Sequence, residues 1–164
     1  MNKIIGILGM QGAIAEHQEI LLQIPHTKTR IVKTAKDLDC IDGLILPGGE
    51  STAIGKLLDY FSLKEILRQK IISGLPVFGT CAGLILLAKN IENQTNTHLE
   101  TMDITVKRNG YGSQLDSFSS NLLIPTIDKN MPIPLVFIRA PYITKTDKDC
   151  LLYTSDAADD RISV

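Results

Sequence analysis

The sequence predicts an α/β fold: a three-layer sandwich with a mainly parallel central sheet and an antiparallel extension. Short apolar strands alternate with helical segments up to Ala88, and several strand-like runs follow with no helix between them. The run Leu44 to Leu46 is continuously apolar, as a strand buried on both faces of a parallel sheet would be. Two Gly-rich turns each follow such a strand, and sites on open α/β sheets form at the carboxyl ends of the strands.

The elements justify themselves in order. Lys3 to Leu8 is a β-branched apolar strand, broken by Gly9-Met10-Gln11-Gly12. Ala13 to Ile24 reads as a helix with Ala13, His17, Ile20, Leu21 and Ile24 on one stripe, stopped by Pro25. His17 on that stripe reads as a packed or hydrogen-bonded histidine. The Gly-x-x-Gly turn is too short for a dinucleotide fingerprint. Thr29 to Lys33 alternates as a half-covered strand, and Thr34 to Leu38 forms one short turn. Cys40 reads as a small core-facing residue before the strand Leu44 to Leu46. Pro47-Gly48-Gly49-Glu50-Ser51-Thr52 is then a loop closed by an N-capping Ser or Thr, and its N–H groups can form a nest for negative charge. Glu50 there is a candidate for a substrate ammonium group, although the loop alone is equally a tight turn.

Ala53 to Tyr60 and Leu63 to Ser73 are helices whose buried faces are Ile54, Leu57, Leu58 and Phe61, then Leu63, Ile66, Leu67 and Ile71. After Pro76-Val77-Phe78 comes Gly79-Thr80-Cys81-Ala82-Gly83 and a second apolar run. This is strand, sharp turn and helix with a thiol at the apex, a nucleophile elbow with Cys in place of Ser. The helix N-terminus favours the thiolate, and the Ala82 N–H faces a developing oxyanion. The alternative is a buried structural Cys between two glycines. Asn90 to His98 is a polar surface loop with His98 exposed. Thr101 to Arg108 alternates with Met102, Ile104 and Val106 on one face, and Asn109-Gly110 marks a turn. Gln114 to Phe118, Leu122 to Ile127 and Leu135 to Ile138 read as short strands. Arg108 and Arg139 each end a strand, where an arginine is either a surface residue or a grip for a carboxylate.

Composition excludes other classes. A chain of 164 residues suits one domain, and 44% hydrophobic with 21% charged residues can bury a core. A net charge of −1 leaves no basic excess for nucleic acid. No apolar stretch reaches the ~20 residues of a membrane span, and the N-terminus runs straight into a strand without a leader pattern. Cys40, Cys81 and Cys150 lack framework spacing and read as thiols of a reducing compartment, hence a cytoplasmic location. No Cys/His spacing suggests zinc, and no metal is expected.

On these residues the chain resembles the class I, triad-type glutamine amidotransferases, which implies a flavodoxin-like sandwich, and within them the PdxT/SNO family, the glutaminase subunits of pyridoxal 5′-phosphate synthase. The matching pieces are Gly9-Met10-Gln11-Gly12, Leu44 to Thr52, Phe78 to Leu84, Val106-Lys107-Arg108-Asn109, Asp116-Ser117-Phe118 and Phe137-Ile138-Arg139-Ala140-Pro141. The resemblance implies that Cys81 attacks the side-chain amide of L-glutamine through a thioester, with the Gly49 and Ala82 N–H groups holding the oxyanion. It implies that Gly48, Gly49, Glu50, Arg108, Ile138 and Arg139 hold the substrate. It places Gln11 near the partner synthase, a (β/α)8 barrel that uses the ammonia for vitamin B6 biosynthesis. No cofactor is expected on this chain.

The sequence departs from the family in one respect. The family's triad takes its His and Glu from a His-Pro-Glu type segment near the C-terminus, whereas the histidines here are His17, His26 and His98. The run Cys150 to Asp160 reads like a sequencing-library adapter, so residues 1–149 are expected to be an incomplete amidotransferase domain and 150–164 a non-native tail. Little glutaminase activity is then expected of the 164-residue chain. The competing readings are a non-catalytic glutamine-binding or docking module, and another Cys-elbow α/β hydrolase.

Overall fold

The structure is a computed structural model that describes residues 2–110, 118–125, 127–137 and 140–147. Its first part is a four-stranded parallel sheet in the order β2-β1-β3-β4, with β1 at Lys3–Leu8, β2 at Thr27–Val32, β3 at Gly43–Leu46 and β4 at Val77–Gly79. Leu8 lies opposite Val32, Ile7 opposite Ile45 and Leu46 opposite Gly79, so β1, β3 and β4 end close together. The sequence turns at Gly9, Pro47 and Thr80 therefore emerge at one edge.

Helix α1 (Ile14–Leu22) packs on β1 and β2, α2 (Ser51–Tyr60) packs on α3 (Lys64–Ile72) and α4 (Ala82–Leu87), and α4 packs on β3 and β4. All four residues of β3 are buried, as a strand covered on both faces requires. The main core joins Leu8, Val32, Leu44 and Leu46 of the sheet to Ile54, Leu58, Leu67 and Leu86 of the helices.

A second unit follows. Strand β5 (Ala88–Ile91) pairs in parallel with β6 (Met102–Lys107), which pairs antiparallel with β9 (Tyr142–Thr146); β7 (Phe118–Leu122) and β8 (Ile133–Phe137) form an antiparallel pair. The antiparallel extension is thus present as separate small sheets. Ile85, Ala88, Ile91, Ile104, Val106 and Ile143 make its core. Helix α4 lies between the two cores, with Leu86 in the first and Ile85 in the second.

Several local expectations change. The stripe on α1 is rotated: Ile14, His17, Gln18 and Leu21 are half-buried, while Ile20 is 61% and Ile24 is 48% exposed. The hydrogen bond from Gln18 Nε2 to Thr29 Oγ1 shows the polar contribution to this face. Phe61 and Ile66 are exposed and not part of the buried helix faces, whereas Ile54, Leu58, Leu63 and Leu67 are buried. Cys40 is exposed rather than core-facing; its φ of 62° belongs to a turn that carries the chain from the short 3₁₀ turn Ala35–Leu38 into β3. β5 was not expected at all, because Ala88-Lys89-Asn90-Ile91 continues a helical composition. The run Leu122 to Ile127 is not a strand beyond Leu122: Pro125 has no N–H for a ladder, and the Ile127 and Asp128 N–H groups turn back to the Ile124 carbonyl. Residues 114–117 of the expected strand Gln114 to Phe118, and Ile138, lie outside the described residues.

Candidate active site

Cys81 stands at the turn between β4 and α4, with φ 49° and ψ −101°. A non-glycine residue in that region stores about 1–3 kcal/mol, which the surroundings must over-determine. They do so by close packing. A Cβ on Gly83 would lie 2.2 Å from the Leu46 carbonyl oxygen, and one on Gly79 would lie 2.7 Å from the Gly83 carbonyl carbon. The Thr80 N–H donates to the Leu46 carbonyl at 3.1 Å, and the Gly83 N–H to the Thr80 carbonyl at 2.9 Å. The thiol is exposed at the apex, which replaces the alternative of a buried structural Cys with a reachable one.

The loop after β3 lies beside it. A Cβ built on Gly48 would be 3.6 Å from Cys81 Cβ. The Gly48 carbonyl accepts from the Ala13 N–H at 2.9 Å and so points toward the start of α1. A trans peptide then turns the Gly49 N–H the other way. The loop after β3 and the Cys81 elbow after β4 leave adjacent strands of the sheet. Gln11 Oε1 accepts from the Glu50 N–H at 2.8 Å, which fixes the next peptide. The Ala82 N–H opens α4 and has no carbonyl one turn earlier to bond. The N–H groups of Gly49 and Ala82, on the two loops nearest the thiol, have no acceptor among the described residues.

Glu50 differs from expectation in one way. It is itself the N-cap of α2, accepting from the Thr52 and Ala53 N–H groups at 3.1 and 2.7 Å, and Ser51 is turned inward and buried. The carboxylate reaches two N–H groups where a hydroxyl would reach one, so it displaces the expected Ser or Thr cap. Arg108, immediately after β6, donates to Glu50 Oε1 at 2.9 Å and to Thr52 Oγ1 at 3.1 Å. Desolvation pushes the Glu50 pKa up, but the Ala53 and Thr52 N–H groups, the Thr52 hydroxyl and Arg108 outweigh it, and the value falls below the ordinary one. A carboxylate and a guanidinium side by side match the ammonium and carboxylate of a free α-amino acid. Arg139 and Ile138 lie outside the described residues.

Three contacts escaped the sequence reading. His17 Nε2 lies 3.2 Å from Thr80 Oγ1, Ala13 holds Gly48, and Thr52 supports Arg108. Gly12, with φ +113°, was the available signal for the second. The expectation that His17 is hydrogen-bonded rather than a base agrees with its bond to Thr80. His98, expected to be exposed, is instead half-buried with its ring against α2; a Cβ on Gly55 would meet its Nδ1 at 2.3 Å. The absence of a side chain at position 55 opens that seat. Among the described residues no group of three His, Cys, Asp or Glu could hold a metal ion, and no helix is long and apolar enough to cross a membrane.

Burial lowers the pKa of His17, against a smaller upward pull from Glu16. Burial also lowers His98, helped by Lys64 and Arg108 and opposed by Asp59 and Glu50. With depressed folded values, both groups take up protons more readily in the unfolded chain below about pH 6.5. The stability they contribute is complete above that pH and is lost as pH falls through their folded values. The midpoint of thermal unfolding is therefore expected to fall between about pH 6.5 and 5, before the carboxylates titrate, and less so in His98→Gln. A flat profile across that window in the unmodified chain would count against this assignment.

Over residues 7–163 the chain matches the SNO glutamine amidotransferase family. It is 53% identical over 143 residues to pyridoxal 5'-phosphate synthase subunit PdxT of Ruminiclostridium cellulolyticum, covering 87% of this chain and 75% of that one. Identity to the protein of the same name from Clostridium botulinum is 55% over 140 residues, covering 85% and 72%. A crystal structure of a glutamine amidotransferase superposes with a TM-score of 0.77 at 36% identity, covering 88% of this chain and 75% of the other. PurLQS from Thermotoga maritima, at 14% identity, a TM-score of 0.63 and coverage of 90% and 72%, shares the fold. With its parallel sheet, its cysteine elbow and a family match along most of its length, this chain belongs to the SNO glutamine amidotransferase family.

Proposed function

We propose that the chain is a glutaminase subunit that hydrolyses L-glutamine to glutamate and ammonia at Cys81 and hands the ammonia to a pyridoxal 5′-phosphate synthase. The observation that carries this is the exposed Cys81 beside two unengaged N–H groups, with the Glu50–Arg108 pair on the adjoining loop. The thiolate sulfur attacks the amide carbon, and the oxyanion rests on the Gly49 and Ala82 N–H groups, each such donor typically worth about 3 kcal/mol. The C–N bond breaks, ammonia leaves with an added proton, and water hydrolyses the thioester to glutamate. Glu50 holds the substrate ammonium, and Arg108 with Arg139 holds its carboxylate beside Ile138 and Gly48.

The proton that leaves the thiol and the one that reaches ammonia need a carrier. His17 is engaged with Thr80, and His98 is seated on α2. His26 precedes β2, at the opposite end of the parallel sheet from Cys81. We therefore expect slow turnover by the 164-residue chain, with binding and covalent capture retained. The synthase subunit, a (β/α)8 barrel, docks near Gln11, which is exposed on the loop before α1. The relatives named above carry the name of a subunit of that synthase. The same reading places the protein in the cytoplasm.

An electrophilic glutamine analogue tests the site directly. Mass spectrometry is expected to find the adduct on Cys81, formed much faster than with iodoacetamide and slowed by glutamine. An adduct that glutamine does not slow would overturn the glutaminase reading. Capture without ammonia release, even with synthase added, favours a glutamine-binding module; brisk Cys81-dependent release would show that the expected slow turnover is wrong.

A further inference from the structure

The two N–H groups assigned to the oxyanion in the glutaminase reading belong to different parts of the chain. Gly49 follows β3, and Ala82 follows β4. Their relative position decides whether both can reach one oxygen, since such donors work only within a few tenths of an ångström of the right place. Adjacent strands fix the two loops coarsely. What holds them finely is one segment that touches both. The start of α1 holds the Gly48 carbonyl through the Ala13 N–H, and one turn later His17 Nε2 meets Thr80 Oγ1 at 3.2 Å. Thr80 is the residue before Cys81, and its Oγ1 lies 3.8 Å from where a Gly48 Cβ would be. The His17–Thr80 bond therefore lies close to the loop that Ala13 secures.

Resting on the glutaminase reading above, we infer that His17 is a positioning residue: through Thr80 it locks the cysteine elbow onto α1, and α1 in turn holds the Gly49 peptide, so that the two oxyanion donors keep one register. The backbone N–H and carbonyl of Thr80 are already used by Leu46 and Gly83. Its side chain is thus the free handle by which another element can set the residue. Threonine suits this because its branched Cβ is stiff, and fixing its hydroxyl fixes the backbone beneath it. Histidine suits it because a ring on one helix turn spans to the next loop while remaining half-buried. His17 touches no reacting atom in this arrangement and moves no proton.

The test compares two reagents on Cys81 in the full chain. The electrophilic glutamine analogue needs the oxyanion site, and iodoacetamide needs only an accessible thiolate. His17→Ala and Thr80→Val are each expected to slow the analogue about tenfold while iodoacetamide is little changed. The double variant is expected to be no slower than either single one, because both remove the same bond. His17→Gln and Thr80→Ser, which keep a hydrogen-bonding group in reach, are expected to recover most of the rate. In a full-turnover assay the loss falls on kcat and leaves KM near its original value. Equal slowing of both reagents, an unchanged ratio in the folded variants, or additive losses in the double variant would overturn the inference. Thr80→Val is nearly isosteric and remains informative if His17→Ala does not fold. A wild-type protein that shows no preference for the glutamine analogue would instead overturn the glutaminase reading, so the two failures are distinguishable.

Discussion

Alanine at position 12 is expected to disable the oxyanion site and leave the nucleophile in place. Gly12 has φ +113°, and a Cβ there would lie 2.0 Å from the Gly48 oxygen and 3.0 Å from its carbonyl carbon. Neither atom belongs to a flexible side chain, so the peptide between Gly48 and Gly49 must rotate or shift. The Gly49 N–H turns with it. Losing one such donor typically costs about 100- to 1000-fold in rate. The left-handed backbone adds roughly 1–2 kcal/mol of instability for a residue with a Cβ. Gly12→Ala should therefore react with the glutamine analogue about 100-fold more slowly, while iodoacetamide still alkylates Cys81 readily. A rate within about threefold of the original would show that the Gly48 peptide does not orient a catalytic donor.

Glu50→Ala is the second large effect, and it divides between stability and substrate affinity. The carboxylate caps α2 through two N–H groups, and losing a cap costs about 1 kcal/mol. The ion pair with Arg108 adds little, because the two side chains are 51% and 29% exposed and solvent screens them. Affinity suffers more. A charge-assisted hydrogen bond to the substrate ammonium contributes about 1.5–3 kcal/mol, so the glutamine concentration needed for half-protection of Cys81 should rise roughly 10- to 100-fold. Glu50→Gln separates the two contributions: its amide oxygen still caps the helix, but the charge is gone. It should unfold near the original temperature and bind glutamine almost as poorly as Glu50→Ala. If Glu50→Gln protects like the unmodified protein, Glu50 is a cap and not an ammonium site.

The parts that could be read in advance are those in which local chemistry and tertiary context agree. Leu44 to Leu46 is apolar on both faces and is buried on both. Gly79 and Gly83 leave no room for side chains, and the packing around the elbow explains why. Glu50 and Arg108 were named separately, and the fold brings them to 2.9 Å. The misreadings arose where a residue's surroundings come from distant chain. Phe61 and Ile66 have the spacing of buried helix residues, yet they are 55% and 41% exposed. His98 lies in a polar stretch, but a glycine on α2 gives it a seat. The Ser and Thr after Glu50 are good caps by type, and a longer carboxylate one residue earlier took the role. The bond from His17 to Thr80 spans 63 positions and has no local signal.

Helix α4 ends at Leu87 and β5 begins at Ala88, with no residue between them. The connection has no slack. Cys81 heads that helix, and Arg108 directly follows the strand that pairs with β5. Nucleophile and guanidinium are therefore joined through α4, β5 and β6, whose residues share one core. A one-residue insertion between Leu87 and Ala88 would displace β5, and β6 with it, relative to α4 and disturb the shared core of Ile85, Ile91 and Val106. For protein engineering, this junction leaves no spare length between two packed elements, whereas the loop that carries Glu50 lies outside the shared core.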